Sequence, residues 1–397
     1  MRTLYERFPY PKKLEPEDFE NVYISANPKD SYSLYFPTSP FRDDLDILIA
    51  GCGTNLLAAF GSLLPNARIV GIDISQASLD YSKKIIDKLA LKNCELHQMP
   101  LESVGNLDRM FDFVHCHGVL HHLKSPDEGI RALGSVLRQD GAMSLMVYAL
   151  YGRSGLYQLQ ELCRRLNLST SVEHAKVVQQ FITTIPRGHS FGIVQPNHAR
   201  PLELEEIADM LLHPRDIAYT TEDVGRLVED NGLSFHRWIT QGAYSPEISP
   251  LWSEPMISTF EGMTEWQRAA AMELYYGVIF KHGFIVTHPS RPKAGELFPL
   301  DKLQDAVPMR SPDLKHRSDK QSITLFNSTQ QLPISVTFKP GLEMMLLKEI
   351  NGESTVNEIV EKICADAGNK ERQQQCLQII QHLYLSDIIY LKLNRPI

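Results

Sequence analysis

Short, almost wholly apolar runs alternate with amphipathic stretches between residues 44 and 150. Asp46-Ile47-Leu48-Ile49-Ala50 is one such run, and it stops in a small-residue turn, Gly51-Cys52-Gly53-Thr54-Asn55, before helix-like sequence. Arg68-Ile69-Val70-Gly71-Ile72-Asp73 is a second, ending in a carboxylate. Ser75 is then an N-cap for a helix reaching about Leu89, with Leu79, Ile85, Ile86 and Leu89 as its apolar stripe. Further strands are expected around Cys94–His97, Phe111–Cys116 and Ala142–Tyr148, with a helix through Ile130, Leu133 and Leu137 before the last. Strand and helix signals that alternate in this way predict parallel strands joined by right-handed crossovers, a doubly wound α/β sheet.

The flanking stretches follow other rules. Residues 1–43 are rich in Tyr, Phe and Pro, so a segment that cannot form one long helix must still bury its aromatic rings by wrapping over something. Residues 151–220 predict a helical insertion, with helix-like sequence at Leu156–Leu168 and Glu203–Leu212. Thr221-Glu222-Asp223-Val224 then reads as an N-cap and helix, and Gly232–Phe235 with Trp238 as a strand. Residues 287–322 are polar, proline-bearing and non-periodic, which predicts a linker. Beyond it, residues 323–397 predict a strand at Ile334–Phe338, a helix at Leu342–Ile350, a second helix opened by a Thr355–Glu358 capping box, a third over Lys370–Leu385 and a closing strand at Ile388–Leu391.

Composition narrows the class without naming a chemistry. The chain has 397 residues, 43% hydrophobic and 22% charged, which suits about two to three globular domains. A net charge of −8 with pI near 6.0 argues against general nucleic-acid binding. Six cysteines without a C-x-x-C pair are expected to be reduced, which implies a cytoplasmic setting. No apolar run approaches the ~18 residues of a membrane span, so no membrane partner is expected.

A buried strand running into a glycine turn at a helix start, followed twenty residues later by a strand-end carboxylate, is the geometry of a nucleoside site. Leu56 stands where a dinucleotide fingerprint needs its third glycine, which disfavours NAD. The turn, Asp73, Phe111-Asp112-Phe113-Val114, Gly118-Val119-Leu120-His121-His122-Leu123 and Leu137-Arg138-Gln139-Asp140-Gly141 occur in that order, and this ordered set resembles the class I S-adenosylmethionine (SAM) methyltransferases. Two positions depart from that family: Ile49 stands at the usual first-strand acid, and Asn55 at the third glycine of the turn, where its tolerance of positive φ would help.

The resemblance implies a Rossmann-like class I sheet, SAM as cofactor and a set of site residues. Gly51, Cys52, Gly53 and Asn55 form the turn beside the methionine and ribose, Asp73 takes the ribose, Ile74 faces the adenine, Gln98 and Met99 hold its far side, and His117 falls near the sulfonium. The N-terminal segment serves as a lid. Acceptor-side candidates are His117, Tyr148, Tyr151 and Arg153, with His189, His213, Arg215 and Tyr219 behind them. No metal is expected, since no acidic or Cys ligand stands at suitable spacing from His117, His121 and His122. No Asn-Pro-Pro-Tyr or Asp-Pro-Pro-Tyr follows the fourth strand, so oxygen, carbon and amine acceptors stay open. The C-terminal region resembles a small α+β winged-helix or PqqD-like domain. The expected function is methyl transfer to a small molecule, or alternatively to a peptide or protein recruited by that domain; a non-catalytic SAM-binding protein is a reading of another class. The oligomeric state is not legible.

Overall fold

The structure is a computed structural model that describes the chain except residues 1, 12–13, 22–23, 25, 187, 195–201, 249–253, 320–321, 328–331, 333–334, 339, 365–369 and 394–397. Two compact units share the chain discontinuously: residues 1–24, 43–233 and 276–288 form the first, and residues 25–42, 234–275 and 289–397 the second.

The strands of the first unit are β1 (Asp46–Ala50), β2 (Arg68–Asp73), β3 (Cys94–Gln98), β4 (Phe111–His117), β5 (Leu137–Tyr148) and, after β6 (Ser234–Trp238) of the second unit, β7 (Lys281–Thr287). In the first unit they lie side by side in the order β3-β2-β1-β4-β5-β7. β1 to β5 are parallel, and β7 runs antiparallel to β5. This is the Rossmann-like class I sheet. Ile47, Leu48 and Ile49 are fully buried, which is why β1 reads as an unbroken apolar run rather than an alternating one.

One boundary differs from the pattern reading. The helix Pro126–Ser135 stops short, and Leu137 opens β5 opposite Phe111, with a register shift before Phe113. Leu137 is apolar in either role, so periodicity could not assign it.

The 151–220 insertion folds as helices at Ser154–Arg165, Val172–Ile182 and Leu204–Met210. Leu156, Leu159, Val178, Ile207 and Ala208 share an apolar cluster with Leu4 of the N-terminal helix Arg2–Arg7 and with Phe8 just after it. The aromatic N-terminal segment is therefore anchored on the insertion.

The second unit corrects the linker expectation. Residues 287–322 carry a short helix, Ala294–Leu297, and the strands β8 (Ala306–Arg310) and β9 (Leu314–Ser318). β9 joins β10 (Ile323–Asn327) and β11 (Ser335–Phe338) in an antiparallel sheet; Ile334, expected at the start of that strand, lies outside the described residues. The helices Leu342–Glu349, Val356–Ile363 and Lys370–Leu385 follow, with the Thr355–Glu358 capping box present. The closing strand β12 (Ile389–Leu393) pairs antiparallel with β8, Leu391 opposite Pro308. A two-stranded ladder tolerates the missing N–H of proline, and that proline is what disguised the strand. Leu303 and Ala306 are fully buried in one cluster with Leu346, Ile380 and Leu383, so the supposed linker is core.

Candidate active site

The turn after β1 is built by two left-handed glycines, Gly51 at φ 76° and Gly53 at φ 55°. The N–H groups of Gly51 and Cys52 both donate to the Ile72 carbonyl, 2.8 and 3.0 Å away, which ties the turn to β2. A Cβ on Gly51 would lie 2.3 Å from Val119 Cγ2, and one on Gly53 2.7 Å from the Tyr10 carbonyl oxygen. Each glycine thus admits a second wall: the segment after β4 at Gly51, the N-terminal segment at Gly53.

Asp73 closes this arrangement. Its Oδ2 accepts the Gly53 N–H and its Oδ1 the Ser75 N–H, both at 2.9 Å. Burial raises its pKa, while the N–H groups of Ser75, Gly53 and Ile74 pull it back down. Ser75 caps the helix Gln76–Lys88 and donates from Oγ to the Tyr5 carbonyl. Asn55 sits at φ −125°, so the turn does not call on its tolerance of positive φ. Its Oδ1 instead accepts the Leu14 N–H at 3.2 Å, and Thr54 Oγ1 donates to the Pro11 carbonyl.

These walls enclose a cavity of about 420 Å³. Gly51, Cys52, Gly53, Asp73, Ile74, Met99 and His117 line it, and so do Tyr5, Tyr10, His122, Tyr148 and Asp209. The remaining expected residues stand elsewhere. Asn55, Gln98, Tyr151 and Arg153 do not line the cavity. Gln98 is exposed and donates from Nε2 to the Ile74 carbonyl at 3.3 Å. Tyr151 is 38% exposed. Arg153 is buried with its guanidinium carbon 3.5 Å from the centre of the Tyr148 ring, so it acts on the cavity by holding that ring.

His117 pairs with Ser144 Oγ at 2.9 Å, and its ring stacks 3.9 Å from that of His115. Burial, then His115 and Lys281, push its pKa well down. It is held neutral, and its conjugate acid is too strong for a useful proton acceptor at neutral pH.

Asp209, Tyr5, Tyr10 and His122 were not singled out from the sequence as facing the site. Asp209 is 3% exposed and accepts the Tyr5 hydroxyl at 3.0 Å. Burial raises its pKa, and burial together with the Asp209 carboxylate pushes that of Tyr5 up well beyond the ordinary phenol value. A signal existed: an acid inside Ile207-Ala208-Asp209-Met210-Leu211 is an uncompensated charge on an apolar helix face.

The sequence offers no acidic ligand at suitable spacing from the histidines, and the structure brings one from farther along the chain. His117 ends β4 while His121 and His122 occupy the short turn Leu120–His122, so the first shares no helix with the others. Asp216, from the far end of the insertion, lies beside His121 and His122 instead: one ligand atom from each residue falls within 4.8 Å of the others.

Residues 42–232 match the family model described as a methyltransferase domain. The chain carries a SAM-dependent methyltransferase domain. A cyanobacterial protein of undetermined function from Synechococcus is 28% identical over 324 residues, 78% of this chain and 76% of its own. The Bacillus subtilis methyltransferase YcgJ, itself uncharacterised, is 24% identical over 35% of this chain and 53% of its own. Among solved structures, PKMT2 from Rickettsia typhi in complex with S-adenosylhomocysteine (AdoHcy) is similar in fold at TM-score 0.67 and 14% identity, covering 98% of this chain and 78% of that one. The cavity fits the methyltransferase cofactor by its own features: two glycines where any Cβ would collide with a wall, and a buried strand-end carboxylate. Among the described residues, no helix is long and apolar enough to cross a membrane.

Proposed function

We propose that this methyltransferase acts on an amine that enters the cavity on a slender group, either a small molecule or the end of a side chain. Asp209 carries the reading. It is a buried carboxylate that lines the cavity together with Tyr5, Tyr10 and Tyr148 and accepts the Tyr5 hydroxyl. A carboxylate among aromatic rings recognises an ammonium group by charge and by cation–π attraction. The room supports a slender acceptor: about 420 Å³ lies near the low end of the ~300–1,000 Å³ of drug-sized ligand sites, and the cofactor takes most of it.

Bound SAM supplies a methyl group activated on a sulfonium. The protein aligns and dehydrates the nucleophile: the sulfur–carbon bond breaks as the nitrogen–carbon bond forms, leaving S-adenosylhomocysteine and a methylated amine. An ammonium must first lose a proton, and Asp209, whose pKa burial raises, is the group placed to take it. The similar fold of PKMT2, a protein lysine methyltransferase, adds a lysine side chain to the acceptors worth testing. Six free cysteines fit a reducing, cytoplasmic setting.

Transfer of labelled methyl to polyamines and lysine-bearing peptides, beside phenols and carboxylic acids, tests the proposal. Amines are expected to be methylated. Asp209→Asn is expected to lower kcat/KM for them by roughly 100-fold, as about 3 kcal/mol for removing one partner of a buried charge pair implies, with S-adenosylhomocysteine affinity retained. Turnover confined to oxygen acceptors, or an unaffected Asp209→Asn enzyme, rejects the amine assignment.

A further inference from the structure

Behind the acceptor wall lies a set of buried polar groups that nothing in the protein satisfies. His121 is fully buried, and neither of its ring nitrogens has a hydrogen-bond partner. His122 is 2% exposed and leaves Nε2 without one. Asp216, its side chain 2% exposed, leaves Oδ1 without one. A buried polar atom without a partner forfeits its hydration for nothing, and three converging on one point call for a missing ligand.

From these residues we propose that His121, His122 and Asp216 form a binding site for one divalent transition-metal ion of the zinc type. The donor set is two imidazoles and one carboxylate, which suits zinc or ferrous iron and disfavours the oxygen-seeking magnesium and calcium. The supporting contacts already fix the ligands. His122 Nδ1 lies 2.8 Å from the Arg215 carbonyl, so it must carry the proton and Nε2 keeps its lone pair. Asp216 Oδ2 accepts Gln160 Nε2 at 2.8 Å, which orients the carboxylate and frees Oδ1.

The neighbours do not already fill this role. Arg153 Nη2 stands 3.6 Å from Asp216 Oδ2, an ion pair beyond hydrogen-bond length that leaves Oδ1 without a partner. His213 stacks 3.9 Å from His122, but its Nδ1 accepts the Arg215 N–H, which puts its proton on Nε2 and excludes that atom as a ligand. Asp209 is engaged with Tyr5. The ion locks the exit of β4 to the end of the insertion, and so fixes the wall on which His122 and Tyr148 face the acceptor. The proposal stands whether or not the acceptor is an amine.

The test uses the full chain without a polyhistidine tag, stripped with chelator and titrated with Zn²⁺ by calorimetry and with Co²⁺ by visible absorption. Binding of one equivalent of Zn²⁺ is expected, and His121→Gln and Asp216→Asn are each expected to weaken it at least about 10-fold, the usual scale for disturbing a ligand set. Substituting the half-buried His97, away from the cluster, should change nothing. No stoichiometric binding, or binding that survives both cluster substitutions, overturns the site. Should the variants fold poorly, the Co²⁺ spectrum of the unaltered chain decides alone: the intense bands of a four- or five-coordinate ion support the site, and the weak bands of a six-coordinate aquo-like ion overturn it.

Discussion

Removing the Asp73 carboxylate is expected to weaken cofactor binding by a calculable amount. Each carboxylate oxygen offers two acceptor positions. In the structure, the Gly53 N–H takes one on Oδ2, the Ser75 N–H one on Oδ1, and the Ile74 N–H also bonds the carboxylate, which leaves one for a ribose hydroxyl. Hydrogen bonds to a charged, buried acceptor are worth about 1.5–3 kcal/mol each, partly recovered when water enters the space. A net loss of about 1.5–3 kcal/mol in Asp73→Ala corresponds to a rise in S-adenosylhomocysteine Kd of roughly 10- to 150-fold. Asp73→Asn should be no better, because its amide NH₂ must confront either the Gly53 or the Ser75 N–H. Titration calorimetry measures the affinity, and circular dichroism with a thermal melt establishes that each variant is folded. Both variants should also melt lower, since the backbone N–H groups lose their acceptor. Unchanged affinity in a folded Asp73→Ala protein would show that the tip of β2 does not hold the ribose.

Two further outcomes follow from burial in each unit. In the first unit, burial lowers the pKa of His115 and His213 to about 3, against about 6.5 in an unfolded chain. The native state therefore refuses protons that the unfolded state takes, and stability present above pH 6.5 is lost as pH falls towards 3. Each histidine loses about 1 kcal/mol between pH 6.5 and 5.5, where its unfolded form goes from half to nearly full protonation, so together about 2 kcal/mol should go; Asp73 and Asp209, with raised pKa values, oppose this only weakly before the carboxylate range is reached. Urea midpoints at pH 7.5, 6.5 and 5.5 measure it, and a flat profile contradicts it. In the second unit, truncation before residue 323 should not leave a tidy core, because it strips β12 from β8 and the three C-terminal helices from Leu297, Phe298, Leu303 and Ala306. At about 1.5–3 kcal/mol for each large apolar side chain uncovered, the remnant should bind a hydrophobic dye and lose a thermal transition; a soluble remnant with an unchanged melt refutes this.

What the sequence disclosed of the site follows from how local each feature is. The glycine turn, Asp73 and the β4 exit are legible because each is a strand end, and a buried parallel strand announces itself by an unbroken apolar run that stops abruptly. β8 was hidden because it is short, carries Pro308 and lies among charged residues. Arg153 and Tyr151 follow β5 closely, yet the chain turns so that one supports Tyr148 and the other faces solvent, which no spacing rule distinguishes.

The residues facing the acceptor come from a different source than those facing the cofactor. Gly51, Gly53, Asp73 and His117 belong to the sheet and its exits, whereas Asp209 belongs to the insertion, and Tyr5 and Tyr10 to the segment anchored on it. Class I motifs describe the first group alone, so they identify the cofactor while leaving the acceptor unread. The second group is assembled by packing between segments far apart in sequence, with 95 residues between His121 and Asp216 and 204 between Tyr5 and Asp209. Acceptor choice can thus change by exchanging the insertion on an unaltered cofactor sheet, and a buried acid on an apolar helix face, such as Asp209, is the mark by which such a change can be recognised in a sequence.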